Sequence, residues 1–197
     1  MASQNTVIII PGLGDNTRVL EIMTLHWKKH GLMPYVHSVG WRNNKDSFGI
    51  KLQELVSLID HFLKRKDTVS LVGTSAGGSA ALNAFFKRKR VIHRVVSICG
   101  RSRLGPTAGF RSFANMTKTS PAFAESVRMC DKREKSLTEA DKKKIMTVRA
   151  QIGDELVPPE TATISGALNI QVPMVEHVLS IGSALTLFSK PIIDFLK

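Results

Sequence analysis

The sequence predicts an α/β fold, a three-layer αβα sandwich on a mostly parallel sheet of about six strands. Three observations carry that prediction. Apolar β-branched runs alternate along the chain with segments whose apolar residues recur at helical spacing. Units of this kind stack into one parallel sheet with helices on both faces. The 197 residues, 43% of them hydrophobic, suit a single domain with a real core and exclude a fully disordered chain.

The elements follow in order. Residues 6–10 form a β-branched run stopped by Pro11-Gly12, which reads as a buried strand. Residues 18–30 carry apolar side chains at Val19, Ile22, Met23 and Trp27 and stop at Gly31, a helix with a glycine end. Residues 33–39 read as a second strand. Residues 47–66 read as a longer helix whose closing Lys64-Arg65-Lys66 suits the negative end of its dipole. A third strand over 69–72, a helix over 76–87 and a fourth strand over 93–98 complete the regular half. Residues 100–144 break the rhythm with glycine, proline and many charges. Within them Ser136-Leu137-Thr138-Glu139 matches a capping box. A strand over 145–152, a helix over 160–168 and a strand over 170–175 follow. A terminal helix over 178–196 is kinked or split at Pro191, which cannot donate to a helical ladder.

Composition narrows the setting. No apolar run reaches the ~18 residues of a membrane span. The first five residues are polar with no basic segment, and the apolar stretch at 7–10 is too short for a signal sequence. The two cysteines, Cys99 and Cys130, cannot form a disulfide framework and lack metal-binding spacing. The expectation is a cytoplasmic protein without a metal or cofactor, with Cys99 buried at a strand end and Cys130 exposed. The formal net charge is +12. Residues 101–149 hold 12 Lys/Arg against 5 Asp/Glu, whereas residues 150–197 hold 2 against 5. An excess of this size suits nucleic acid, an anionic surface or an anionic substrate, or simply solubility. Basic residues are not interleaved with aromatics, so nucleic acid is the disfavoured partner.

The strongest chemical signal is Gly73-Thr74-Ser75-Ala76-Gly77, between the third strand and the third helix. A serine there occupies a tight turn that lifts its hydroxyl clear of the sheet at a helix N-terminus, and Gly73 and Gly77 let strand and helix crowd together. The plainer alternative is a glycine-rich βα turn of any doubly wound fold. A phosphate loop is excluded because no lysine follows the glycines.

These residues resemble the nucleophile elbow of the α/β-hydrolase family, as in its small serine esterase- and lipase-like members. The resemblance covers nearly the whole chain as one domain, 1–197. It implies an acid and then a histidine downstream of the serine. Asp154 follows the fifth strand in Gly153-Asp154-Glu155-Leu156-Val157-Pro158, with Glu155 as the rival carboxylate and a turn or cap role as the plainer alternative. His177 follows the last strand and is the one histidine beyond residue 100. The family's oxyanion hole maps onto the backbone N–H groups of Ala76 and Leu13. The neighbouring Gly12-Leu13-Gly14 lacks the third glycine of a dinucleotide fingerprint, and Pro11 stands where many relatives carry histidine.

The implied activity is hydrolysis of a carboxylic ester, thioester or amide of a small acyl substrate, neutral or anionic, through an acyl-Ser75 intermediate. The alternative is a non-catalytic or acyl-transferring relative that binds an anionic partner through its basic surface. Residues 100–144 fall where the family inserts a cap. Phe110, Phe113, Met116, Phe123 and Met129 would face the substrate or pack the cap onto the sheet. Arg101, Arg103 and Arg111 are the candidate anion-binding groups.

Overall fold

The sheet is parallel throughout and runs in the order β2-β1-β3-β4-β5-β6. The structure, a computed structural model, describes residues 4–197, so most of the polar N-terminal stretch lies outside the described residues. Its strands are β1 (Asn5–Ile10), β2 (Leu32–Val36), β3 (Thr68–Thr74), β4 (Val95–Ile98), β5 (Ile145–Ala150) and β6 (Leu168–Val172). The helices are α1 (Thr17–Thr24), α2 (Phe48–Lys64), α3 (Ala76–Arg88), α4 (Phe113–Thr117), α5 (Pro121–Glu134), α6 (Glu139–Lys142), α7 (Pro159–Ala162), α8 (His177–Leu185) and α9 (Lys190–Leu196).

Strand periodicity divides the core in two. Ile8 and Ile10 face one side, against Phe48, Leu55, Phe85 and Val127 of α2, α3 and α5. Val7 and Ile9 face the other, against Trp27, Leu185 and Ile193. The result is the three-layer sandwich expected from the alternation. β2 is an edge strand, which is why it tolerates Pro34.

Several boundaries depart from expectation, each for a local reason. The helix expected over 18–30 is α1 followed by a 3₁₀ turn at Leu25–His30. The Thr24 hydroxyl donates back to the Leu20 carbonyl at 2.7 Å, which competes with the ladder. The tighter turn brings the Trp27 indole N–H to the Leu185 carbonyl at 3.2 Å. The helix expected over 160–168 is only the four-residue α7, and Leu168 already belongs to β6. Asn169 explains the difference. Its amide donates to the carbonyls of Ile164 and Ala167 at 2.9 Å, and its oxygen accepts from the Ile164 N–H at 3.1 Å and the Thr147 hydroxyl at 2.6 Å.

The capping box also sits elsewhere. Thr138 is the N-cap of α6 and Asp141 its reciprocal partner, while Ser136 turns back to the Arg133 carbonyl. The terminal helix is split: α8 and α9 meet at 58°, with Pro191 in the first turn of α9. Among the described residues no single helix is long and apolar enough to cross a membrane.

Residues 100–144 divide between two roles. Helix α5 belongs to the helical layer, where Ser126 meets Ser79 at 2.7 Å and the Asn83 amide donates to the Ser126 carbonyl at 2.8 Å. Phe123, Val127 and Cys130 lie on its buried face at helical spacing. Cys130 is therefore fully buried, not exposed. The loop before α5, together with α4, reaches over the carboxyl ends of the strands.

Replacing Asn169 with alanine strips partners from the turn into β6. An Asn169→Ala variant is expected to lose about 2 kcal/mol or more of unfolding free energy in urea titration. An unchanged denaturation midpoint would show that the turn holds without this side chain.

Candidate active site

The sheet's topology places a crevice before any side chain is considered. The chain passes from β1 outward to β2 and then returns to β3 on the opposite side of β1. Connections leave in opposite directions there, so a cleft opens at the carboxyl ends of β1 and β3. The Gly12–Asp15 loop and the Ser75 turn border it.

Ser75 has φ 52° and ψ −121°, a conformation that a serine adopts only where its surroundings impose it. The imposing element is close backbone approach. A Cβ on Gly73 would overlap the Gly77 carbonyl, and one on Gly77 would overlap the Ile10 carbonyl. The Ser75 N–H donates to the Ile98 carbonyl at 2.9 Å, tying the turn to β4. Gly12 packs directly against this serine, since a Cβ there would lie 2.9 Å from the Ser75 Cβ. The backbone of Leu13 and the N-terminus of α3, beginning at Ala76, therefore flank the same hydroxyl.

The structure brings Ser75, His177 and Asp154 into one hydrogen-bonded chain. His177 Nε2 lies 2.9 Å from Ser75 Oγ, and His177 Nδ1 lies 2.8 Å from Asp154 Oδ2. An ionised carboxylate can only accept, so the proton between them sits on Nδ1. Nε2 is then the acceptor for the serine hydroxyl. Asp154 is held from its other oxygen by the N–H groups of Leu156 at 2.9 Å and Val157 at 2.8 Å. Burial pushes the Asp154 carboxyl upward. The bond and charge of His177 and the two N–H donors more than offset this, leaving its pKa below the ordinary carboxylate value.

Glu155, the rival acid, accepts from the backbone N–H of His177 at 3.0 Å and so fixes where α8 begins. Glu176 caps the same helix by accepting from Val178 and Leu179, and those N–H groups lower its pKa. Motif reading misses Trp41 altogether. Its N–H donates to Asp15 at 2.8 Å and its indole to the Pro11 carbonyl at 2.9 Å, bracing the loop that carries Leu13. A lone tryptophan in a polar loop is the only local signal of this.

A cavity of about 260 Å³ opens beside Ser75, walled mainly by Leu13, Met116, Phe123, Leu156 and Val157, with Arg101 in its polar lining. Of the five apolar residues expected to face a substrate or pack the cap, Met116 and Phe123 reach this cavity. Phe110 is exposed, Phe113 lies beneath Arg101 and Arg128, and Met129 packs on the core.

The three arginines expected as anion-binding groups also brace the loops, and Arg101 lines the cavity as well. Arg101 is buried and donates to the carbonyls of Arg103, Leu104 and Arg111. Arg103 pairs with Glu134, and Arg111 donates to the Asp154 carbonyl at 3.2 Å. Loop carbonyls without helix or sheet partners recruit the nearest strong donors.

Cys99, Asp154 and His177 offer a sulfur, an oxygen and a nitrogen all within 4.8 Å of one another. They suit a resident metal poorly. The nitrogen and carboxylate already bond each other, and burial, helped by the Asp154 charge, pushes the Cys99 thiol up to about 12.

No protein-family model matches the sequence, and no curated protein matches it significantly. Solved structures do match. The monoacylglycerol lipase of Paleococcus ferrophilus aligns over 100% of this chain and 96% of its own at 13% identity, with a TM-score of 0.68. Est1E from Butyrivibrio proteoclasticus aligns over 98% and 87% at 15% identity, TM-score 0.66. MGS-MChE2, an α/β-hydrolase enzyme from the sediment metagenome of the Mar Chica lagoon, Morocco, aligns over 98% and 90% at 15% identity, TM-score 0.66. This chain therefore has the α/β-hydrolase fold.

Two outcomes follow for the site. A carboxyl with a lowered folded pKa stabilises the fold above its unfolded pKa and ceases to do so as pH falls through the folded one. Wild type should thus exceed Asp154→Asn in thermal midpoint at pH 7, with the gap closing below roughly pH 4. A gap constant with pH would refute the assignment. Arg101→Met leaves three carbonyls without this donor and should cost about 2 kcal/mol or more in unfolding free energy. Unchanged stability would remove its bracing role.

Proposed function

We propose that this protein is a serine hydrolase of carboxylic esters, acting through an acyl-Ser75 intermediate. The observation that carries the reading is the unbroken hydrogen-bonded chain from Ser75 through His177 to Asp154 at the carboxyl end of a parallel sheet. The neighbours named as lipase and α/β-hydrolase enzyme support the same class of reaction.

A serine hydroxyl is inert at its own pKa and must lose its proton as it attacks. In this reading His177 Nε2 takes that proton while Ser75 Oγ bonds the ester carbonyl carbon. Asp154 keeps the imidazole in the tautomer that can accept and stabilises the imidazolium that forms. The carbonyl oxygen becomes an oxyanion facing the N–H groups of Leu13 and Ala76, and losing one such donor costs roughly 2.7–4 kcal/mol. The imidazolium then protonates the departing alcohol. Water then attacks the acyl carbon as His177 takes its proton, and His177 returns that proton to Ser75 Oγ as the carboxylic acid departs.

The apolar walls of the 260 Å³ cavity fit the acyl part of a small ester. Thioesters and amides share this chemistry, as does transfer to an acceptor other than water. No cofactor takes part. A cytoplasmic setting remains part of the proposal and rests on two unpaired, buried cysteines.

The test is direct. Wild type should turn over p-nitrophenyl esters and take a fluorophosphonate label on Ser75. Ser75→Ala should lose the label and about 10⁶-fold in kcat, and Asp154→Asn about 10⁴-fold. A folded wild type that neither labels nor hydrolyses any ester defeats the proposal.

A further inference from the structure

Arg101 lines the cavity beside Ser75, but it is buried and spends its donors on three loop carbonyls, while Arg103 is paired with Glu134 and Arg111 donates to the Asp154 carbonyl. The cleft wall offers a different cation. The cavity beside Ser75 shares Leu13 and Thr119 with a second depression of about 280 Å³, which is bordered by Arg42. The first is mainly apolar with the buried Arg101 in its wall, and the second ends at the exposed guanidinium of Arg42. Arg42 is exposed, and among the described residues no carboxylate lies within ion-pair distance of it. Asp15, on the loop opposite, directs its carboxylate to the Trp41 N–H instead.

Arg42 is also well placed mechanically. Trp41, immediately before it, is fully buried and stacked on Phe48. The carbonyl of Trp41 accepts the Ser120 hydroxyl at 3.1 Å, and its two N–H groups hold Asp15 and Pro11. One residue thus ties the root of the Arg42 side chain to the loop that packs on Ser75. The backbone at Arg42 therefore keeps a constant register with the loop that packs on the serine, while its side chain reaches from that fixed root.

We propose that Arg42 is a specificity residue and that the cleft takes esters whose acyl chain ends in a carboxylate. The chain would run from Ser75 across Leu13 and Thr119, with its methylenes against Met116 and Phe123 and its terminal carboxylate on Arg42. A guanidinium presents parallel donors that match a carboxylate, and a lysine at the same position presents a point charge only. The proposal rests on the ester-hydrolase reading above and adds the substrate class.

The experiment compares p-nitrophenyl esters of graded acyl length that end in either methyl or carboxylate. Wild type should show higher kcat/KM on the carboxylate series, with an optimum length at which the terminus meets Arg42. Arg42→Ala should lower that value by about fivefold, the upper end for an exposed ion pair, and leave the methyl series unchanged. Arg42→Lys should recover part of the loss. Added salt should shrink the preference. Equal turnover of both series by wild type, or equal losses on both in Arg42→Ala, overturns the proposal. If wild type hydrolyses neither series and Ser75 takes no fluorophosphonate label, the hydrolase reading has failed and this one falls with it.

Discussion

The closeness of α3 to strand β1 governs everything else at this site. Gly77 lies in the first turn of that helix, where a Cβ would overlap the Ile10 carbonyl, and Gly73, next to last in β3, lies against Gly77 in the same way. Three backbones meet where no side-chain carbon fits. That crowding is what holds Ser75 at positive φ, and the positive φ is what raises its hydroxyl out of the sheet. The same contact presses Gly12 onto Ser75, so the loop after β1 and the serine are positioned by one event. Strain of this kind persists only where the surroundings over-determine it, and the two buried cores flanking the sheet do so.

Around this point lies a shell of polar braces that do no chemistry themselves. Glu155 holds the backbone of His177, Glu176 caps the helix that His177 begins, and Arg111 holds the Asp154 carbonyl. Trp41 does the same for the loop after β1. Each supplies a partner to backbone that neither helix nor sheet satisfies. The charge concentrated in residues 101–149 serves this need in part, through Arg101, Arg103 and Arg111.

The extent to which the chain can be read before folding follows from the range of each interaction. Ser75, Asp154 and His177 are legible because each follows a β-branched run, and strand ends are a local pattern. The α/β class is legible for the same reason. Element ends are less so, because they depend on single side chains choosing a backbone partner. Thr24 bonds back to Leu20 and Asn169 closes its own turn, and neither choice shows in apolar periodicity. Trp41 is illegible because its partners, Pro11 and Asp15, lie 30 and 26 residues away. Cys130 and Arg101 look like cap-surface residues only while the packing of α5 and the loop before it is unknown.

The order in which these groups enter the chain has a biological consequence. Loop, serine, acid and histidine come from the ends of β1, β3, β5 and β6, so the last arrives only with α8. That helix docks through the Leu185 carbonyl on Trp27, near the other end of the sequence. During synthesis the strained serine turn can form well before the histidine proposed as its base is added. On the proposed reading a nascent chain would carry an unactivated serine, and the hydrogen-bonded chain would form only when α8 docks. Docking of α8 would then act as a timer that keeps the proposed nucleophile disarmed until the fold around it is complete.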